Sequence, residues 1–200
     1  MNEKTYSQIG QDIFVKRVLQ EKTNGLFVDI GAAWPDNINN TYLFEKHYNW
    51  TGLSVEFDPQ YERMWKASDR TSKFICDDAL KVDYVFEINK LLTDNKVDRI
   101  DYLSVDIEPP ILTLKALQKV PLDKFRFSVI TFEHDMYRTD NGHEFDQQYT
   151  MRTSRELLSS HGYSLIFANM QEDWWVDGTI FDTSNNSINI NTTPINILYK

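Results

Sequence analysis

The stretch Leu26-Phe27-Val28-Asp29-Ile30-Gly31 decides the fold of this chain. An apolar run of strand length ends in a carboxylate and is closed by a glycine. Three later runs have the same shape: Leu53-Ser54-Val55-Glu56, Phe74-Ile75-Cys76-Asp77-Asp78 and Tyr102-Leu103-Ser104-Val105-Asp106. Asp29, Glu56, Asp78 and Asp106 follow one another at intervals of 27, 22 and 28 residues. Those intervals suit a strand-helix-strand unit, and short apolar runs at that spacing read as buried parallel strands. Ligands of an open α/β sheet bind at the carboxyl ends of its strands. The acids therefore line the edge where a cofactor carrying hydroxyls and amines would lie.

Working outward, Ile9, Ile13, Phe14, Val18 and Leu19 have helical spacing, which predicts a helix over 5–20 before the first strand at Leu26–Ile30. A helix over Asn39–Tyr48 follows, then strand two at Gly52–Glu56. Asp58-Pro59 opens a helix running through Trp65. Strand three is Lys73–Cys76. Tyr84, Ile88, Leu91 and Leu92 mark the next helix, and strand four is Asp101–Val105. After Pro109 and Pro110, Ile111–Gln118 reads as helix and Phe127–Phe132 as strand five. Residues 136–147 read as a polar loop, Met151–His161 as a helix stopped by Gly162, and Tyr163–Ala168 as strand six. Trp174–Ile180 is the seventh strand. Ser184–Thr193 reads as an irregular polar tail, with Ile195–Tyr199 a short strand or packed segment. Regular alternation of β and α predicts one doubly wound, mostly parallel sheet in a single domain over 1–200, with helical residues near 1–22 and a polar tail near 184–200.

Two hundred residues, 41% hydrophobic and 14% aromatic, suffice for one domain with a sizeable core. The formal net charge of −9 argues against nucleic-acid or anionic-membrane partners, which need a basic face, and favours a neutral or cationic ligand. Cys76 is the one cysteine, so no intramolecular disulfide can form. No basic leader with an apolar run opens the chain and no stretch is long enough to span a bilayer, which gives a cytoplasmic protein as the expectation.

The first βα turn, Asp29-Ile30-Gly31-Ala32-Ala33, lacks the second glycine of G-x-G-x-x-G. By itself it is a turn that needs one small residue, or a place where a ligand approaches the backbone. Glu56 tips the balance: an acid closing strand two accepts hydrogen bonds from ribose hydroxyls. Together they point to an adenosine-bearing cofactor.

Four blocks carry a more specific likeness: Tyr6-Ser7-Gln8-Ile9-Gly10-Gln11-Asp12, Phe27 to Ala32, Trp50 to Pro59, and Asp101 to Glu108. In order and spacing they resemble the FkbM-type methyltransferases over about residues 5–180. The resemblance implies a Rossmann-like class I methyltransferase fold, with an antiparallel strand seven and helices on both faces. It implies S-adenosylmethionine as donor and a hydroxyl, often on a sugar or glycan-like molecule, as acceptor. By position, Asp29 and Gly31 would border the methionine part, Glu56 would bind the ribose hydroxyls, Asp78 with Ala79 would meet the adenine, and Ala32 and Phe57 would also line the cofactor site. Asp106 would close the pocket toward the acceptor. The helix bearing Ser7, Gln8, Gln11 and Asp12 would cover the cofactor, although Ser7 as a plain helix cap explains that residue equally. The chain departs from the family at Ala33-Trp34-Pro35, where small polar residues are usual, and at Pro109-Pro110.

Methyl transfer to a hydroxyl needs an aligned oxygen and a destination for its proton. Asp106, Glu108, Glu133, His134 and Asp135 are the candidates. Glu133 follows Asp106 by 27 residues, so neighbouring strands would bring their ends together. This spacing resembles metal-dependent O-methyltransferases of the catechol type, in which Asp106, Glu133 and His134 would hold Mg²⁺ or another divalent cation. Without a metal, His134, with an unperturbed pKa of about 6.5, would be the base. A histidine after a strand is also commonly a hydrogen-bonded structural residue. Of the adjacent Trp174 and Trp175, one would pack in the core and the other line the acceptor site, unless both pack at the sheet edge. Tyr137, Arg138 and His143 would shape acceptor choice from the loop after strand five. No G-x-S-x-G or G-x-x-x-x-G-K-[ST] occurs, against a hydrolase or a P-loop NTPase. A non-catalytic cofactor-binding scaffold and a nicotinamide-dependent reductase are the rival readings. The oligomeric state, a homodimer included, stays open.

Overall fold

The computed structural model of the chain describes residues 4–137, 144–182 and 198–199. Its elements run α1 (Gln11–Val18), β1 (Leu26–Ile30), α2 (Tyr42–Tyr48), β2 (Thr51–Glu56), α3 (Pro59–Ala67), β3 (Lys73–Cys76), α4 (Tyr84–Asn95), β4 (Arg99–Val105), α5 (Pro110–Lys119), β5 (Arg126–Glu133), α6 (Glu144–Ser160), β6 (Tyr163–Ala168), β7 (Glu172–Asp177), β8 (Phe181–Asp182) and β9 (Leu198–Tyr199). Seven strands form one sheet in the order β3-β2-β1-β4-β5-β7-β6, and β8 pairs separately with β9. Within the seven-stranded sheet all pairings are parallel except those of β7, which is antiparallel to both neighbours. The order reverses between β1 and β4, the place where an α/β sheet opens a crevice.

The sheet is covered on both faces, and side-chain alternation sorts its residues between them. Leu26, Val28, Ile30, Leu103, Val105, Ile130, Phe132 and Trp175 pack with Ile88 of α4, Leu114 and Leu117 of α5, and Leu158 of α6. Phe27, Tyr102, Val129, Trp174 and Val176 face the other way, onto Phe14, Val15 and Val18 of α1 and Phe44 of α2. Trp65 of α3 stacks on Phe74 of β3 with centroids 4.7 Å apart. Helix starts follow local chemistry: the Asp58 carboxylate accepts from the Gln60 N–H at 2.8 Å with Pro59 in the first turn, Asp83 accepts from the Phe86 N–H at 3.0 Å, and Pro110 begins α5.

At the amino edge, Asp177 of β7 binds Arg99 of β4 at 2.5 Å and Arg126 of β5 through two bonds of 2.5 and 3.1 Å. Asp101 accepts from the Leu26 N–H at 2.9 Å and from Lys22 Nζ at 2.6 Å. Both carboxylates tie strand ends on the side away from the crevice.

Several expected boundaries move. The first helix begins at Gln11, not near residue 5, because Asp12 folds the preceding segment back: its carboxylate accepts from Thr5 Oγ1, the Tyr6 N–H and Ser7 Oγ at 2.6–2.7 Å. Gly10, with φ of 95°, is the N-cap, so Ser7 is not. The second helix starts at Tyr42, since the Asn39 side-chain Oδ1 accepts from the Thr41 and Tyr42 N–H groups. α6 begins at Glu144, inside the expected loop. β7 spans Glu172–Asp177 instead of 174–180, because Glu172 and Asp173 are buried in the sheet. The polar tail over 184–193 lies outside the described residues. Among those described, no helix is long and apolar enough to cross a membrane.

Candidate active site

At the carboxyl edge, the face covered by α1 and α2 carries a row of acids. Asp29 is the penultimate residue of β1, and Asp106 extends β4, its N–H still bonded to Ile30 O at 2.8 Å. Glu133 closes β5, directly opposite Glu172 at the start of antiparallel β7. Asp106 and Glu133 are hydrogen-bonded to each other through their carboxyl groups. Two carboxyls can do this only by sharing a proton.

Burial dominates the electrostatics of all four. It raises Asp29 to about 6, against the opposing effects of Arg70 and the Thr41 and Ser104 hydroxyls. Asp106 is raised to about 6 by burial and by the charges of Glu172, Asp135 and Asp29, with the Glu133 hydrogen bond pulling the other way. Glu133 is pushed to about 9 by burial, then by its bond to Asp106 and the charge there. Glu172 reaches about 8 through burial, offset by donors from Trp174 and Gln11. Both members of the pair are raised, Glu133 further than Asp106, so the pair holds one proton near neutral pH.

The N-terminal segment closes this row. Gln11 Nε2 donates to Glu172 Oε2 at 3.1 Å, and Trp174 Nε1 donates to Glu172 Oε1. Gln171 Nε2 donates to Glu133 Oε1 and to Gln8 Oε1, both at 2.9 Å.

His134 is not with them. One residue beyond Glu133, it turns to the opposite face, fully buried, with Nε2 3.5 Å from Asp173 Oδ1; Arg155 of α6 holds the same carboxylate at 2.7 and 2.8 Å. The set Asp106, Glu133 and His134 expected to hold a divalent cation is thus divided between two faces of the sheet. Among the described residues no group of three or more His, Cys, Asp or Glu side chains is arranged to hold a metal ion, so the donors present do not fit that cofactor. Trp174 also departs from expectation: it is buried between Phe14 and Phe167, at centroid distances of 4.6 and 4.4 Å, while Trp175 packs on the other face. Neither indole is open to an acceptor. Tyr137 and Glu108 are exposed near the ends of β5 and β4. Arg138 and His143 lie outside the described residues.

On the other side of β1 the turn is tightly built. Gly31 has φ of 91°, and a Cβ there would stand 1.7 Å from the carbonyl oxygen of Asp106. The glycine is needed for protein packing, joining the ends of β1 and β4. The Gly31 and Ala32 N–H groups both donate to Val55 O. Glu56 Oε2 accepts from the Ala33 N–H at 2.9 Å, and Oε1 from the Phe57 and Asp58 N–H groups at 2.8 and 3.0 Å. Phe57 is 71% exposed. Ala79 is buried, and Asp78 Oδ1 accepts from the Leu80 N–H at 2.9 Å.

The sequence reading missed Arg70. Its side chain is buried and donates to Glu45 Oε2 at 2.7 Å, Pro35 O at 2.6 Å, Asn39 Oδ1 at 3.1 Å and Thr41 Oγ1 at 3.0 Å, while stacking 4.4 Å from the Trp65 centroid. Thr41 in turn donates to Asp29 at 3.0 Å. The partners lie 25 to 35 residues away, so no local motif announces them. Glu172 was also missed as a member of the acidic row; the signal was its place two residues before a buried tryptophan.

No protein-family model matches the chain, and comparison with curated proteins gives no match. Solved structures do resemble it. The S-adenosylhomocysteine-bound methyltransferase PaMTH1 of Podospora anserina aligns with a TM-score of 0.59 at 12% identity, over 82% of this chain and 75% of that one. A putative O-methyltransferase of Klebsiella pneumoniae gives 0.55 at 11%, over 85% and 80%. An O-methyltransferase of Bacillus cereus in complex with S-adenosylhomocysteine gives 0.52 at 12%, over 86% and 82%. At these identities the likeness establishes the fold: a single Rossmann-like α/β domain of the methyltransferase type.

Proposed function

We propose that this chain is an S-adenosylmethionine-dependent O-methyltransferase of the FkbM kind, acting on a hydroxyl of a sugar or glycan-like acceptor. The observation that carries the reading is the proton-sharing pair Asp106–Glu133, set at the ends of adjacent strands beside the Gly31 turn. The fold likeness and the four FkbM-like sequence blocks support it.

The residues at β1 to β3 fit the donor. Glu56 Oε2 accepts one backbone N–H and keeps an acceptor direction for a ribose hydroxyl. Exposed Phe57 and buried Ala79 offer apolar surface to a purine, with Asp78 beside them to accept from its amine. Asp29 and Asp106 border the cationic methionine part. S-adenosylmethionine would supply an electrophilic methyl group on a sulfonium. Asp106 would accept the acceptor hydroxyl's proton as the oxygen forms its bond to the methyl carbon and the carbon–sulfur bond breaks. Glu133, protonated, donates to Asp106 and fixes its orientation; a base ionising near 6 suits neutral pH. No step runs through a metal ion. His134, under the sheet against Asp173, supports the turn after β5.

Calorimetry with S-adenosylhomocysteine and NAD, followed by transfer of labelled methyl from S-adenosylmethionine to a panel of hydroxyl acceptors, tests the proposal. Binding of NAD with none of S-adenosylhomocysteine would overturn it. Donor binding without transfer to any acceptor would favour a non-catalytic cofactor-binding protein.

A further inference from the structure

Trp34 stands out among the five tryptophans. It is 41% exposed, whereas Trp50, Trp65, Trp174 and Trp175 are each 4% or less. The loop that carries this indole is tied down. Four consecutive carbonyls around it are each taken by a side chain. Asn39 Nδ2 donates to Ala32 O at 2.9 Å and to Trp34 O at 3.0 Å. Trp65 Nε1 donates to Ala33 O at 2.9 Å, and Arg70 to Pro35 O at 2.6 Å. The ring meets Tyr61 of α3 edge-on at 5.6 Å. Little backbone freedom is left to lose when something binds against it.

Its address narrows what binds. The Ala33 N–H, one residue before Trp34, donates to one oxygen of Glu56, and the Phe57 N–H donates to the other. One carboxylate thus binds the backbone of the residue before Trp34 and of Phe57 itself, and both aromatic rings are exposed. A hydroxyl acceptor bound to two chain segments that each carry an exposed aromatic ring suits a nucleoside. Tyr61 belongs to the helix after β2, which puts Trp34 on the β2 side of the β1 turn, whereas Asp106 and Glu133 lie on the β4–β5 side. The ring therefore serves the donor end of the crevice.

We infer that Trp34, held on its pinned loop, packs against the adenosine part of S-adenosylmethionine as an outer wall of the donor end, on the same side of the crevice as Phe57. The inference rests on the donor proposed above. Because Trp34 is the one exposed tryptophan, its fluorescence reports directly. Quenching by acrylamide is measured with and without S-adenosylhomocysteine, alongside calorimetry on W34A and W34F. Expected are protection of the accessible fluorescence on binding, affinity about tenfold weaker in W34A, and a change of about threefold or less in W34F. Both variants should melt as the wild type does. If S-adenosylhomocysteine binds the wild type by calorimetry while quenching is unchanged and W34A binds equally well, the wall is wrong and the donor reading stands. If the wild type does not bind S-adenosylhomocysteine at all, the donor reading itself is overturned, and the wall with it.

Discussion

A methyl group on residue 31 has nowhere to go. With φ at 91° and the Asp106 carbonyl 1.7 Å from the position a Cβ would take, Gly31→Ala must push the ends of β1 and β4 apart. The expected cost is about 2–4 kcal/mol in urea unfolding, with loss of S-adenosylhomocysteine binding. Asp106 and His134 separate on a different measurement. In the proposed reaction Asp106→Asn would remove the proton acceptor, and it should lower methyl transfer by about 10²–10⁴-fold while the protein stays folded. His134→Ala leaves Asp173 with Arg155 alone and a void on the α6 face; it should lower the melting temperature yet keep turnover of the folded protein within about threefold. A deep loss of turnover in a well-folded His134→Ala protein would return the histidine to the chemistry. At this scale the sequence showed Asp29, Glu56, Asp106 and Glu133 because each ends an apolar run. It did not show which way His134 turns, since a residue past a strand end has no period to follow.

Elements made of continuous apolar runs were legible to the residue. The sequence alone places β1, β3 and β6 at the observed bounds: β1 by an apolar run buried throughout, and the partly exposed edge strands β3 and β6 by short apolar runs closed by polar residues or glycine. Charge misled elsewhere. The expected seventh strand starts at Trp174, past two acids, yet β7 begins with Glu172 and Asp173, one bonded to Gln11 and Trp174 and the other to Arg155. The loop over 31–41 was illegible for a related reason: what orders it is Arg70, supplied from beyond α3. Arg70→Met should therefore destabilise the protein by about 3 kcal/mol, as breaking a buried ion pair leaves the Glu45 carboxylate uncompensated. It should also expose 33–41 to proteolysis. Pairing it with Glu45→Gln should recover part of the loss; full additivity of the two changes would refute the coupling.

Across the whole molecule, the acidic row makes stability depend on pH in an unusual sense. Carboxyls at about 6, 6, 8 and 9 lie above their unfolded values, so the native state holds protons that the unfolded chain has released. Their contribution is complete below about pH 4 and is lost as pH rises through 6 to 9. Asp177, lowered to about 2, and Asp173 and Glu45, also lowered, act the other way; their contribution is present above about pH 4 and disappears only in stronger acid. Melting temperature should accordingly be higher at pH 5 than at pH 8.5 in calorimetry, and a rise over that interval would contradict the assignment of the row. Asp177 has a further consequence. By fastening β4, β5 and β7 at the rim away from the crevice, it lets the opposite rim vary without unravelling the sheet. Loops exchanged at the crevice rim, whether by natural drift or by grafting from a relative with another acceptor, can be judged on chemistry, because the strands that carry them are anchored at their far ends.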